Sequence, residues 1–127
     1  MIDHMSVGVE CLDTAREFYT KVLQTLGFDL KVETSDLLAF GGTGIEFLAM
    51  KPFDKAMASA GNGMHVAFTA LSEDQVDKFH AVAMELGATC EGMPGKRNYP
   101  HAEVYAAYVR DPFGHKLEAL TNGLSAR

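Results

Sequence analysis

The sequence of this chain says one thing twice. The stretch HMSVGVECLDTAREFYTKVLQTLGF, from His4, is matched by HVAFTALSEDQVDKFHAVAMELGA, from His65. The offset is 61 residues from His4 to His65 and from Phe18 to Phe79, and 60 from Gly27 to Gly87. A spacing that regular indicates one supersecondary unit used two times.

Each copy opens with a histidine that starts a short strand and continues into an amphipathic helix. Ala15, Phe18, Val22, Leu23 and Leu26 share one helix face, as do Val76, Phe79, Ala83 and Leu86. Thr14 with Glu17 and Ser72 with Gln75 have capping-box spacing, and Gly27 and Gly87 suit the left-handed position past a helix end. Three strand-like stretches follow each helix, with turns at Gly41-Gly42-Thr43 and Asp111-Pro112-Phe113-Gly114. Each half is therefore β-α-β-β-β. Module 1 spans about residues 1–51 and module 2 about 63–121, within a single domain over 1–127. The segment KPFDKAMASAGNG connects them, and GMPGKRNYPHAE is a long loop that the first half lacks. One helix covers one face of a four-stranded unit. The expected fold is thus α+β, two βαβββ modules forming a curled eight-stranded sheet around a cavity, helices outside.

Strand alternation sorts the side chains. Met5, Val7, Val9, Val66 and Phe68 point to the helices, and His4, Ser6, Gly8, His65, Ala67 and Thr69 to the hollow. The stretch TGIEFLAM, residues 43–50, poses a difficulty, because a carboxylate in a buried strand is costly unless paired or coordinated. Alternation puts Ile45, Phe47 and Ala49 on the helix side and Glu46 in the hollow, and places Glu118 likewise. His4, Glu46, His65 and Glu118 then face one cavity. Two imidazoles and two carboxylates suit an octahedral or five-coordinate divalent metal. The alternative is that Glu46 reaches solvent at a rim and backbone carbonyls satisfy the histidines.

Composition excludes other classes. Eleven basic and seventeen acidic side chains give a formal charge of -6 with no clustered Lys and Arg, which argues against nucleic acid. Cys11 and Cys90 match no metal-binding spacing and read as reduced thiols. No apolar run suits a membrane helix and the N-terminus has no basic leader, so a cytoplasmic location is expected.

The chain resembles the vicinal oxygen chelate superfamily, which includes glyoxalase I, methylmalonyl-CoA epimerase, extradiol dioxygenases, fosfomycin-resistance enzymes and bleomycin-binding proteins. The likeness runs from DHMSVGVECLDTAREFYTKVLQTLGF through GMHVAF to YVRDPFGHKLEAL, whose D-P-x-G turn leads into a strand carrying glutamate. The resemblance to glyoxalase I implies His4, Glu46, His65 and Glu118 as ligands of a divalent ion (Zn, Ni, Co, Mn or Fe). It implies either Glu46 or Glu118 as general base, a small oxygen-chelating substrate, an enediolate-type intermediate and a homodimer with cavities near its interface. An arginine that helps hold glutathione in bacterial glyoxalase I corresponds here to Gly8, which argues against a lactoylglutathione lyase in the strict sense. A lyase or isomerase is the first reading. A dioxygenase or thiol transferase would need only His4, His65 and Glu118, and a non-enzymatic binding or resistance protein would need no metal.

The loop carries Lys96, Arg97, Tyr99, His101 and Tyr105, a basic and aromatic cluster in an acidic chain. It reads either as a lid for an anionic substrate or as a solvated crossover. Arg97 is the preferred substrate contact, since a guanidinium fork fits a carboxylate. Met50 shares a strand face with Glu46 and Leu48 and is expected to line the pocket, while His80 is expected at the surface or on the helix flank and His115 on the opposite strand face.

Overall fold

In the computed structural model, which describes residues 1–124, the repeat becomes two copies of one unit. The first is β1 (Met5–Gly8), α1 (Leu12–Gln24), β2 (Asp29–Glu33), β3 (Leu37–Gly41) and β4 (Phe47–Met50). The second is β5 (His65–Ala70), α2 (Glu73–Glu85), β6 (Thr89–Tyr99), β7 (Ala102–Arg110) and β8 (Lys116–Thr121).

The helix ends follow local chemistry. Ser72 caps α2 by accepting from Gln75 N at 3.2 Å, and the Gln75 amide oxygen takes Leu71 N at 2.8 Å. A cap of this kind contributes about 1 kcal/mol. Helix α1 departs from expectation: Cys11 holds the cap position without a side-chain bond, so Thr14 and Glu17 form no capping box. Leu12 packs against the core and draws the helix start forward, which leaves Thr14 inside the first turn. Both helices stop as expected, with Gly27 at φ 84° and Gly87 at φ 97°, angles that a side chain would strain.

The eight strands form two hydrogen-bonded sheets of four, ordered β1-β4-β3-β2 and β5-β8-β7-β6, instead of one continuous sheet. In each, the first strand pairs in parallel with the last and the remaining pairs are antiparallel. Strands β1 and β5 are edges, and no ladder joins them. The edge carbonyl of Gly8 instead accepts from His115 Nε2 at 2.6 Å, and the buried Tyr19 hydroxyl of α1 donates to Asp111 in the β7–β8 turn.

One apolar core nevertheless serves both modules. It contains Phe18, Tyr19, Phe40 and Phe47 from the first, with Phe68, Val76, Phe79, Val109 and Leu117 from the second. Phe47 and Phe68 meet edge to face across the module boundary, ring centroids 5.2 Å apart. In β5 the alternation is clean, with Val66, Phe68 and Ala70 buried and His65, Ala67 and Thr69 exposed.

The segment GMPGKRNYPHAE, expected as a loop, is mostly strand. Strand β6 continues to Tyr99 and pairs with β7 from Thr89↔Arg110 to Tyr99↔Ala102. The proline that argued for a loop sits where the register shifts between Gly92 and Gly95, so its missing N–H interrupts no regular ladder bond. The extended hairpin builds a second small core on the open face of its sheet, from Val104, Ala106 and Leu120 with Tyr99, Ala102 and Tyr108 packed against them.

Candidate functional site

Strand β4 begins at Phe47, one residue after Glu46. Glu46 is therefore not a buried strand carboxylate: it is exposed, accepts from Gly42 N at 3.1 Å, and follows an Ile45 that is 41% exposed rather than packed on α1. Solvent and a backbone N–H resolve the difficulty posed by TGIEFLAM. The ladders also correct its kinship with Glu118. Met5 pairs with Phe47 in the first sheet, and its repeat equivalent Val66 pairs with Leu117 in the second. Leu48 is thus the structural counterpart of Glu118, and Glu46 that of Lys116. The offset is two residues, about 6.6 Å along a strand.

Glu118 itself is 3% exposed and stands on the open face of β8. Its Oε2 lies 3.3 Å from His65 Nε2 on β5, while its Oε1 is buried and makes no hydrogen bond within the protein. Tyr108, directly opposite Glu118 in the β7–β8 ladder, shares a 2.7 Å hydrogen bond with Tyr99 OH. Burial first, then the hydrogen bond to Tyr99 and the neighbouring Glu118 carboxyl, push the Tyr108 hydroxyl far above the ordinary tyrosine range and keep it protonated. His65, Tyr99, His101, Tyr108 and Glu118, with Pro100 and Leu124, line a cavity of about 360 Å³.

The other expected site residues separate into those that share this pocket's wall and those that do not. Tyr99 and His101 line it, and Arg97 lies over the Tyr108 ring at 6.0 Å. Tyr105 belongs to the opposite face of β7, where its hydroxyl donates to Asp77 of α2 at 2.7 Å. Met50 lines a cavity of the first module with Ser6, Gly8 and Pro52. His4 precedes β1, is largely exposed, and has its Nδ1 2.6 Å from Asp3. It stands beside Glu46, whose carbonyl accepts from Met5 N at 3.1 Å.

Two histidines and two missed residues complete the picture. His80, expected at the surface or on the helix flank, is not at the surface: it is 7% exposed with Nε2 3.2 Å from Cys90 Sγ, and burial lowers its pKa. His115 is satisfied by the Gly8 carbonyl. Sequence reasoning did not single out Tyr108, although alternation along VYAAYVR puts residue 108 on the face of Glu118. It also passed over Asp111, which accepts from Phe113 N and His115 N, both at 2.8 Å, as well as from Tyr19.

His65 Nε2 and the unpartnered Glu118 Oε1 fit two positions of a divalent cation's shell. Among the described residues, no group of three or more His, Cys, Asp or Glu side chains converges.

Comparison with known proteins agrees with this architecture. The family model of the glyoxalase/bleomycin resistance protein/dioxygenase superfamily matches residues 1–119. A glyoxalase/bleomycin resistance protein from Albidiferax ferrireducens T118 is 36% identical, with a TM-score of 0.90 over 96% of this chain and 99% of that one. Two more distant structures share the fold. Lactoylglutathione lyase from Agrobacterium tumefaciens is 22% identical, with a TM-score of 0.66 over 96% of this chain and 93% of that one. A fosfomycin resistance protein from Listeria monocytogenes is 19% identical, with a TM-score of 0.67 over 98% of this chain and 94% of that one. No curated protein matches the chain in sequence. The paired βαβββ modules and the match over nearly the whole length place the chain in the glyoxalase/bleomycin resistance protein/dioxygenase superfamily.

Proposed function

We propose that the protein is a metal-dependent lyase or isomerase acting on a small substrate that presents two oxygens. The observation that carries this reading is the buried, unpartnered Glu118 Oε1 beside His65 Nε2 at the wall of an open pocket. A buried carboxylate oxygen without a donor costs about 1–3 kcal/mol, a cost that a bound cation or substrate proton would offset. His65 and Glu118 hold the metal in this reading, and a second copy of the chain completes the shell with His4 in a homodimer. The bound ion would supply positive charge against charge developing on substrate oxygens.

The chain's own residues account for the proton. The Glu118 carboxyl, through the oxygen a bound metal would leave free, is the acceptor, because Glu46 is exposed and bonded to Gly42 N. The Tyr108 hydroxyl, held protonated, donates toward Glu118 or a substrate oxygen, and Tyr99 fixes its direction. Tyr99 and His101 form the wall that orients the substrate and limits water.

Leu48, at the place where a fourth ligand would match Glu118, favours a second reading. His4, His65 and Glu118 alone make a two-His, one-carboxylate set with open positions, suited to a dioxygenase or thiol transferase. Metal analysis of full-length protein made in metal-supplemented medium tests both. The expected result is about one divalent ion per chain, lost in His65→Ala and retained in Glu46→Gln if three ligands suffice. Folded protein that takes up no metal would sink both and leave a binding module.

A further inference from the structure

We infer that the substrate carries a carboxylate and that Arg97 is its receptor, an inference that rests on reading the His65–Glu118 pocket as the substrate site. Cross-strand partners share a sheet face. Val104↔Arg97 and Ala102↔Tyr99 in the β6–β7 ladder, with Tyr108↔Glu118 in the next, put Arg97, Tyr99, Tyr108 and Glu118 on one face.

The Arg97 side chain is folded back along its own strand. Nη2 donates to Met93 O at 2.7 Å and Nη1 to Lys96 O at 3.4 Å, which sets the guanidinium 6.0 Å from the Tyr108 ring centroid. Lys116 Nζ lies 5.3 Å from the same centroid. Two cations therefore flank one aromatic ring beside Glu118, in a chain whose formal charge is -6.

Two glycines make room for that fold-back. A Cβ on Gly95 would come within 3.1 Å of Arg97 Nη1, and one on Gly92 within 3.4 Å of Arg97 Nη2 and 3.1 Å of Tyr108 Cδ2. Neither glycine has a positive φ, so vacant space, and not backbone conformation, is what they supply. The backbone bonds use two of the five guanidinium N–H groups and leave three for a ligand. A planar fork held in place by carbonyls and an aromatic face is organised for a bidentate carboxylate.

Isothermal titration of the full-length protein with malonate, and with malonamide as a neutral analogue of the same shape, tests this. Malonate should bind at least roughly tenfold more tightly than the diamide, the preference expected when a charged hydrogen-bonded pair replaces a neutral one. Arg97→Met should remove the preference, and Arg97→Lys should recover only part of it because the fork is lost. Gly95→Ala should weaken the preference in part although it changes no charge, because its Cβ would stand 3.1 Å from Nη1 and shift the fork, a result that general surface electrostatics would not give. Equal binding of the two probes, or an undiminished malonate preference in Arg97→Met, overturns the receptor. The same titration in His65→Ala separates this inference from the metal. A preference that survives there supports the receptor, even where the parent protein takes up no metal and the metal reading fails. A preference that vanishes there while Arg97→Met keeps it assigns the anion to the histidine and overturns the receptor.

Discussion

Exchange of Glu118 for Gln should end turnover and weaken metal uptake while leaving the fold at least as stable as the parent. The amide keeps the size of the side chain and one weakly ligating oxygen, but it cannot take a proton. Stability should not fall, because the native group is 3% exposed and one of its oxygens has no partner. Glu118→Leu makes the second half of the argument sharper. It would extend the small core of Val104, Ala106 and Leu120, and should raise stability by about 1–3 kcal/mol, visible as an increase of a few degrees in Tm. The His65 side chain, 47% exposed, can turn to water when its carboxylate is gone. Metal stoichiometry and thermal melts on the two variants decide the matter. A pronounced loss of Tm in Glu118→Leu would mean that the carboxylate is a structural group and would count against its role as proton acceptor.

The largest stability effect is expected at Asp111. This residue is 4% exposed and accepts from Phe113 N, His115 N and the Tyr19 hydroxyl. Asp111→Ala orphans all three donors in one step, and the turn that sends β7 into β8 loses its internal brace. The expected cost is about 3–5 kcal/mol, enough to unfold a domain of ordinary stability on mild heating. Tyr19 tests the account independently. Burial, followed by the Asp111 charge and hydrogen bond, holds the Tyr19 hydroxyl well above the ordinary range, so it stays a donor throughout the physiological pH range. Tyr19→Phe should therefore destabilise the parent, but much less so in the Asp111→Ala background, where its acceptor has already gone. Denaturant melts of the four proteins in that cycle measure the coupling. Additive effects would show that Tyr19 and Asp111 do not act together.

How much of this was legible beforehand differs by level. The repeat and its helical faces gave the two modules, because Phe18 and Phe79 mark the same turn of the same unit. Glu118 and His65 were readable as a pair on one face, since Glu118 stands between Leu117 and Ala119 and His65 opens the alternation of HVAFTA. Glu46 misled because residue-by-residue alternation assumes that the strand has already begun, whereas the turn after Gly41 runs through Glu46 and the ladder starts at Phe47. The register, which makes Leu48 the counterpart of Glu118, depends on how much chain that turn consumes, and no local pattern encodes it. GMPGKRNYPHAE looked like a loop because glycine and proline signal turns; here they produce bulges that keep the strand going. Tyr19 and Asp111 are 92 residues apart, and nothing in either neighbourhood announces the other.

The strand order β5-β8-β7-β6 also says when the site comes into being. Strands β6, β7 and β8 follow one another as a meander and can zip up through short loops, which assembles Tyr99, Tyr108 and Glu118 early and locally. Strand β5 precedes them and must travel back to lie beside β8, so His65 meets Glu118 across 53 residues of chain. Closing so long a loop costs entropy before any contact repays it, and a parallel edge strand gains the least from its ladder. The carboxylate and phenol half of the pocket is thus the framework on which the chain condenses, and the imidazole arrives with the last strand to dock. The pocket is therefore complete only once the long-range pairing of β5 with β8 has formed.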